Sequence, residues 1–200
     1  MSTNSRSRRL LYSRLLQLRQ VQELGVLKLR NHYFDTKDFK LYDKKTRLRF
    51  RLTNKTEGEV TLKIPSKKVV NTQHPPKIRR EITAPLEVTD LLSMVKGEMD
   101  VELPEEILEH LPVATRKLNY LGQIKTKRSH VRLPSGLVIE VDKAKILDET
   151  IYEIEIEIQP SDDAEGIFRY VTRFLQQNQI EYEPTDVSKS KRFFAKLMSL

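Results

Sequence analysis

The sequence predicts an α+β protein: a closed eight-stranded antiparallel β-barrel with helices packed on its outside. Three observations predict it. Several stretches alternate strictly between charged and apolar residues, as strands with one polar and one apolar face do. The charge on those faces is segregated, arginine and lysine on the early strands and carboxylate on the late ones. Amphipathic segments of helical spacing run between and after them and can cover the apolar faces. About eight antiparallel strands closing on themselves remove exposed edges and separate an inside from an outside. With the charged faces inward, the lumen has cationic walls and acidic walls.

The most regular strand is Glu153-Ile154-Glu155-Ile156-Glu157-Ile158, with a carboxylate at every odd position and isoleucine at every even one. Like charges along one face repel unless something positive neutralises them. The remaining elements follow in chain order. Leu10–Leu24 has leucines at helical spacing and reads as an amphipathic helix stopped by Gly25. Val26–Phe34 is a strand, and Asp35-Thr36-Lys37-Asp38 offers turn and cap chemistry. Arg47–Leu52 alternates with arginine at each odd position, Asn54–Gly58 is a turn, and Val60–Ile64 completes a hairpin with Glu59, Thr61 and Lys63 on one face. Pro65–Pro76 is a basic and polar loop. Lys77–Thr83 is a strand with Lys77, Arg79 and Glu81 on one face and Ile78, Arg80 and Ile82 on the other.

Val88–Val95 and Glu105–Leu111 are short helices, the second with Pro104 placed to start it, and Ala114–Leu121 is a third, closed by Gly122. Ile124–Leu133 and Leu137–Ala144 make a hairpin around Pro134-Ser135-Gly136, with Glu140 and Asp142 sharing a face. After the acidic strand, Ser161 caps a helix over Asp162–Asn178. A strand at Ile180–Glu183 and a helix from Val187 end the chain. No internal repeat, low-complexity tract or linker divides it, so residues 1–200 read as one domain.

Composition bounds the chemistry. With 38% hydrophobic residues, the 200-residue chain can bury a substantial core, and its patterning is too regular for disorder. A formal net charge of +8 favours anionic partners without choosing among them. The absence of cysteine excludes disulfides, cysteine zinc sites and thiol nucleophiles. No apolar run reaches the length of a membrane span, and Met1–Leu11, although serine- and arginine-rich, lacks a signal-type apolar core. A cytoplasmic location is the default expectation. Aromatic residues are 7%, with no glycine/aromatic recognition motif, which disfavours a nucleic-acid-binding surface. The histidines at 32, 74, 110 and 130 have no metal-ligand spacing, and neither a Ser/His/Asp set nor a P-loop is visible.

A wall of arginine and lysine suits a polyanion, because guanidinium groups fork onto phosphate oxygens. Carboxylates suit Mg²⁺ or Mn²⁺, which prefer oxygen ligands. Both in one lumen imply metal-assisted phosphoryl or nucleotidyl chemistry.

His32-Tyr33-Phe34-Asp35-Thr36, Thr46-Arg47-Leu48-Arg49-Phe50-Arg51, Thr61-Leu62-Lys63, Arg80-Glu81, Val141-Asp142 and Tyr152-Glu153-Ile154-Glu155 occur in order and at suitable spacing. This succession resembles the CYTH superfamily, the triphosphate tunnel metalloenzymes, over about residues 26 to 196, and most resembles its small single-domain bacterial members. The resemblance implies an eight-stranded tunnel. Arg49, Arg51 and Lys63 would grip a triphosphate, with Arg79 or Arg80, Arg128, and Lys189 or Lys191 adding to the basic wall. Glu81, Asp142, Glu153 and Glu155 would be the metal-holding acidic residues, Glu153 and Glu155 foremost, with Mg²⁺ or Mn²⁺ as cofactor. Catalysis would fall to Glu153, Glu155 and Lys63. The implied partner is a small-molecule triphosphate or polyphosphate, the implied assembly a monomer or homodimer, and adenylyl cyclase activity exists within the superfamily.

One stretch departs from the pattern. The superfamily opens on Glu-x-Glu-x-Lys, and here Ser5 and Ser7 stand where the glutamates are expected and Arg9 where the lysine is. Three explanations remain open: a binding-only relative, a metal held by the other carboxylates alone, or a terminus altered from the natural chain.

Overall fold

The computed structural model describes residues 12–65, 79–98, 100–113, 117–159, 161–185 and 187–199. Chain order is α1 (12–17), β1 (Gln22–Asp35), α2 (Lys40–Asp43), β2 (Arg47–Thr53), β3 (Glu57–Pro65), β4 (Arg79–Pro85), α3 (Val88–Lys96), α4 (Glu105–Leu108), β5 (Asn119–Arg132), β6 (Val138–Ile146), β7 (Glu149–Glu155), α5 (Ala164–Gln177) and α6 (Lys189–Leu197). Among the described residues, seven strands form one antiparallel sheet in the order β4-β3-β2-β1-β5-β6-β7. The Ser5 and Ser7 positions and most of the 65–76 loop lie outside the described residues.

The contacts divide the chain into two compact units. The first comprises residues 28–68 and 78–125. Its core is the apolar face of β2, β3 and β4 (Leu48, Phe50, Leu52, Val60, Leu62, Ala84), closed by Leu91 and Met94 of α3 and Ile107 of α4. This is the apolar half of the predicted alternation. Burying one such side chain contributes roughly 1.5–3 kcal/mol. Phe34 joins this core and lies 4.6 Å from Phe50, ring centroid to centroid. The next residue, Asp35, is fully buried and accepts from the backbone N–H of Leu41 and of Tyr42, both at 2.9 Å. It therefore caps α2, a short helix that the sequence pattern did not show.

The second unit comprises, of the described residues, those within 12–27 and 126–199. Val131, Leu133, Ile139 and Val141 of β5 and β6 pack against Val171, Phe174 and Leu175 of α5, with Leu15 and Ile180. Asp163, whose side chain accepts from the Gly166 N–H, is the cap of α5 in place of the expected Ser161.

Several expected boundaries shift. The helix expected over Leu10–Leu24 is helical at 12–17, and β1 already begins at Gln22, so Gly25 sits inside a strand. The helix expected over Ala114–Leu121 is overturned at its end, because β5 starts at Asn119 and Tyr120 packs its ring on Phe34 and His32. Strand pairing and aromatic packing outweigh local helix propensity there. Residues 180–183 form no strand; Ile180 is instead a core residue below α5. The acidic strand is displaced as well. Leu147, with φ of 52°, lies in the turn that pairs Ile146 with Glu149, so β7 runs from Glu149 to Glu155. Glu157 consequently lies beyond the ladder.

Candidate functional site: a basic face and an acidic cluster

The first unit presents one polar face. Residues directly opposite in an antiparallel ladder share a side, and the register sets Tyr33 beside Arg49, Arg49 beside Thr61, and Thr61 beside Thr83. The rows on either side run Asn31, Arg51, Glu59 and Arg47, Lys63, Glu81. Arg49 is 7% exposed. Its Nη2 donates to Thr61 Oγ1 at 2.9 Å and to Glu59 at 3.2 Å, while its Nε is buried without a hydrogen-bond partner. Arg51 Nε donates to Asn31 Oδ1 at 2.9 Å, and Lys63 Nζ pairs with Glu81. Arg47 is engaged elsewhere, with its guanidinium 4.3 Å from the Tyr42 ring centroid and bonded to the Thr46 carbonyl.

The electrostatics of this face are positive. Burial and then the nearby Arg49 lower the Lys63 pKa even though Glu81 is hydrogen-bonded to it. Burial would raise Glu81, but Lys63, Arg49 and Arg51 outweigh it and its pKa falls below the ordinary value. Burial is the largest cause of the Lys63 shift, but Arg49 and Arg51 push both groups down, the sign of a cationic surrounding that attracts a polyanion.

The second unit holds the opposite. Across β6 and β7, Glu140 faces Glu155 and Asp142 faces Glu153, so four carboxylates stand in two directly opposed pairs. Opposed like charges destabilise a sheet, and two cations offset them. Arg128 forks onto Asp142 through Nε (2.9 Å) and Nη2 (2.8 Å), reaches Glu155 at 2.7 Å, and pairs with Glu140. Lys189, from the first turn of α6, lies 3.0 Å from Asp142, 2.9 Å from Glu153 and 2.6 Å from Glu155. Arg192 is 3.8 Å from Glu153, and His130 is 3.4 Å from Glu140.

Here the shifts report negative potential. Burial disfavours the Lys189 charge, yet Glu155, Asp142 and Glu153 more than compensate and its pKa is raised. Burial and the neighbouring carboxylates Glu157, Glu155 and Asp142 raise Glu140 above its ordinary range against the pull of Arg128. Asp142, fully buried, moves the other way, because the Arg128 fork and Lys189 outweigh desolvation.

The structure thus gathers Arg49, Arg51, Lys63 and Glu81 on one face, and Arg128, Asp142, Glu153, Glu155 and Lys189 in one cluster. Of two alternatives left open by the sequence, the structure separates the pair of lysines. Lys189 enters the acidic cluster, whereas Lys191 is exposed. Arg80 is exposed and meets His110 at 2.8 Å, in alternation with Glu81 and away from Lys63; the Arg79 side chain lies outside the described residues. Sequence reading missed Asn31, Glu59 and Thr61 as partners of the arginines, and Arg192 beside Lys189. Helical spacing of three carried that last signal.

Among the described residues, no group of three or more carboxylates or imidazoles is arranged to hold a metal ion as it stands. The donors nevertheless suit a hard cation. Asp142, Glu153 and Glu155 offer only oxygen, and Glu153 Oε1 is buried without a hydrogen-bond partner. They converge on an ammonium instead.

The CYTH domain pattern matches residues 4–194. The chain belongs to the CYTH family. A relative from Bacillus subtilis (strain 168), "Putative triphosphatase YjbK", is 29% identical over 175 residues, covering 88% of this chain and 83% of that one. Among solved structures, the fold is similar to that of the Hippeastrum protein HpAC1, described as a "putative adenylyl cyclase" with "a dominant triphophatase activity" (TM-score 0.78, 20% identity, 97% of this chain and 92% of that chain). It is also similar to a "putative adenylate cyclase" of Bacillus halodurans (TM-score 0.67, 23% identity, 96% and 93%). At these identities the two structures establish the CYTH fold. The CYTH family implies dependence on a divalent metal. No helix among the described residues is long and apolar enough to cross a membrane.

Proposed function

We propose that this CYTH protein hydrolyses a triphosphate, either inorganic triphosphate or an organic or nucleoside triphosphate. We take the chain to work as one tunnel domain, a closed eight-stranded barrel, with Mg²⁺ or Mn²⁺ as cofactor and a cytoplasmic location. The observation that carries the reading is the buried, unpartnered Nε of Arg49 on a face of positive potential. A buried guanidinium donor without an acceptor is costly, and a turn of the side chain toward a phosphate oxygen would give it one. The B. subtilis relative's name supports the same reaction class.

Arg49, Arg51 and Lys63 hold the phosphoryl oxygens and stabilise the charge that develops on them. Arg128 and Lys189 extend the cationic contacts. Water adds to the terminal phosphorus, and the bond from that phosphorus to the bridging oxygen breaks. The products are orthophosphate and a diphosphate. Glu153 and Glu155, with Asp142, are the residues that would hold the divalent cation; Glu81, tied to Lys63, serves the basic face. A bound cation supplies charge neutralisation and a more acidic water.

Purified protein is expected to release phosphate from triphosphate, ATP or thiamine triphosphate with Mg²⁺ or Mn²⁺, and Glu155→Gln is expected to abolish it. No release from any of the three with either metal overturns the reading. A second reading, a binder of polyphosphate or nucleotides without turnover, is favoured by Ser5 and Ser7 at the expected glutamate positions. Tight triphosphate binding indifferent to metal, with turnover appearing only in Ser5→Glu/Ser7→Glu, would establish it.

A further inference from the structure

Lys189 offsets the acidic cluster by sitting at its centre rather than beside it. Its Nζ sits within 3.0 Å of three carboxylates, Asp142, Glu153 and Glu155. An ammonium seated among oxygen-only ligands does part of what a small cation does: it offsets part of their charge and donates to one oxygen of each of Glu153 and Glu155, while Glu153 Oε1 stays without a hydrogen-bond partner. The side chain is 13% exposed, so it is largely withdrawn from water. It comes from the first turn of α6, whose cap, Ser188, accepts from the Lys191 N–H. Phe193 and Phe194 of the same helix are fully buried, which anchors the helix that carries the lysine.

We propose that Lys189 is a tethered competitor for the divalent cation: its ammonium fills the Asp142–Glu153–Glu155 cluster in the ligand-free protein and must leave before a metal ion is held there. The proposal takes up the cluster described under the proposed function, but it concerns cation binding without substrate and so does not depend on hydrolysis. Arg128 cannot play this part, because its guanidinium forks along the Asp142 carboxylate in a fixed geometry. Lys189 can, because an ammonium on a four-carbon stem is a mobile point charge. Arg192 stands one helical step away, 3.8 Å from Glu153, and is too distant to fill the vacated position without moving. The consequence is economical. Divalent cations alone bind weakly, and a triphosphate that draws the lysine onto its own oxygens opens the carboxylates to the metal in the same event. Substrate and metal binding are then positively coupled through one side chain.

The test is Mn²⁺ binding to the full chain without any phosphate compound, followed by titration calorimetry and by the loss of the free-ion paramagnetic resonance signal. Lys189→Gln is expected to bind one Mn²⁺ about tenfold or more tighter than the unmodified protein, as removal of a competing charge at contact distance implies. Lys196→Gln, which removes the same charge from an exposed pair with Asp148 and Glu149, is expected to leave Mn²⁺ affinity unchanged. Equal affinity in Lys189→Gln and the unmodified protein overturns the proposal, as does an equal gain in Lys196→Gln. If Lys189→Gln is unfolded in chelator, recovery of its folded circular dichroism on adding millimolar Mn²⁺ supports the proposal, and no recovery counts against it. An absence of triphosphatase activity would sink the hydrolytic reading and leave this result standing.

Discussion

Replacing Arg128 by methionine tests whether the acidic cluster is held by its buried guanidinium. Arg128 makes two hydrogen bonds to Asp142 and one to Glu155, and it also pairs with Glu140. The Asp142 side chain is fully buried, so water cannot replace the fork. Two routes give the size of the loss. Breaking a buried pair by deleting one partner costs about 3–5 kcal/mol. Alternatively, Asp142 escapes by taking up a proton. From an ordinary pKa of about 3.9, neutralisation at pH 7 costs about 4 kcal/mol, at about 1.4 kcal/mol per unit. The routes agree on about 4 kcal/mol, or roughly 8–16 °C of Tm for a chain of this size. The second route also sets the pH dependence. At pH 5 the protonation ceiling falls to about 1.5 kcal/mol, so the penalty shrinks. Urea unfolding of the wild type, Arg128→Met, Asp142→Asn and the double variant at both pH values reads this directly. The double variant is expected to lose about 1.5 kcal/mol or more less than the sum of the singles. A penalty below about 1 kcal/mol at pH 7, or strict additivity, would refute the reasoning.

Other perturbations follow from the same geometry. Asp35→Ala removes the acceptor for the Leu41 and Tyr42 N–H groups, so it is expected to cost about 2–4 kcal/mol in urea unfolding, with Asp35→Asn milder; a loss under about 0.5 kcal/mol would rule out the cap. His32 is 3% exposed, and burial, then Arg30 and Lys125, depress its pKa to about 4. Its folded value lies below its unfolded value of about 6.5, so stability is whole above pH 6.5 and declines by about 3 kcal/mol as the pH falls toward 4. His32→Gln should flatten that part of the stability–pH curve, and parallel curves for the two proteins would exclude the effect. Arg49→Lys keeps the charge but loses the fork and the Nε donor, so affinity for inorganic triphosphate, measured by calorimetry in chelator, should fall about 10- to 100-fold, as loss of a charged hydrogen bond worth about 1.5–3 kcal/mol implies. A change smaller than about threefold would remove Arg49 from the binding face.

The sequence by itself determined which faces of β2, β3, β6 and β7 carry charge, and it carried the family motifs; it left the register around Arg128 open, and the structure set Arg128 among the carboxylates. Alternation of period two is a local property, and a chain that buries one face of a strand has no choice about the other. The YFDT motif was legible only through its resemblance to the family; its physical role, Phe34 in the core and Asp35 bonded to the Leu41 and Tyr42 N–H groups, came from the structure. The tertiary structure decided what depends on register and on packing between elements. The turn at Leu147 displaced β7 and removed Glu157 from the ladder, while pairing within β5 overrode helix propensity after residue 118. Asp163 took the cap from Ser161. Most consequentially, the rotation of α6 chose Lys189 over Lys191 and placed its ammonium among three carboxylates. Helix spacing alone put the two lysines on different faces, but the packing of Phe193 and Phe194 determined which face met the acidic cluster, because buried aromatic rings fix a helix's rotation where exposed lysines cannot.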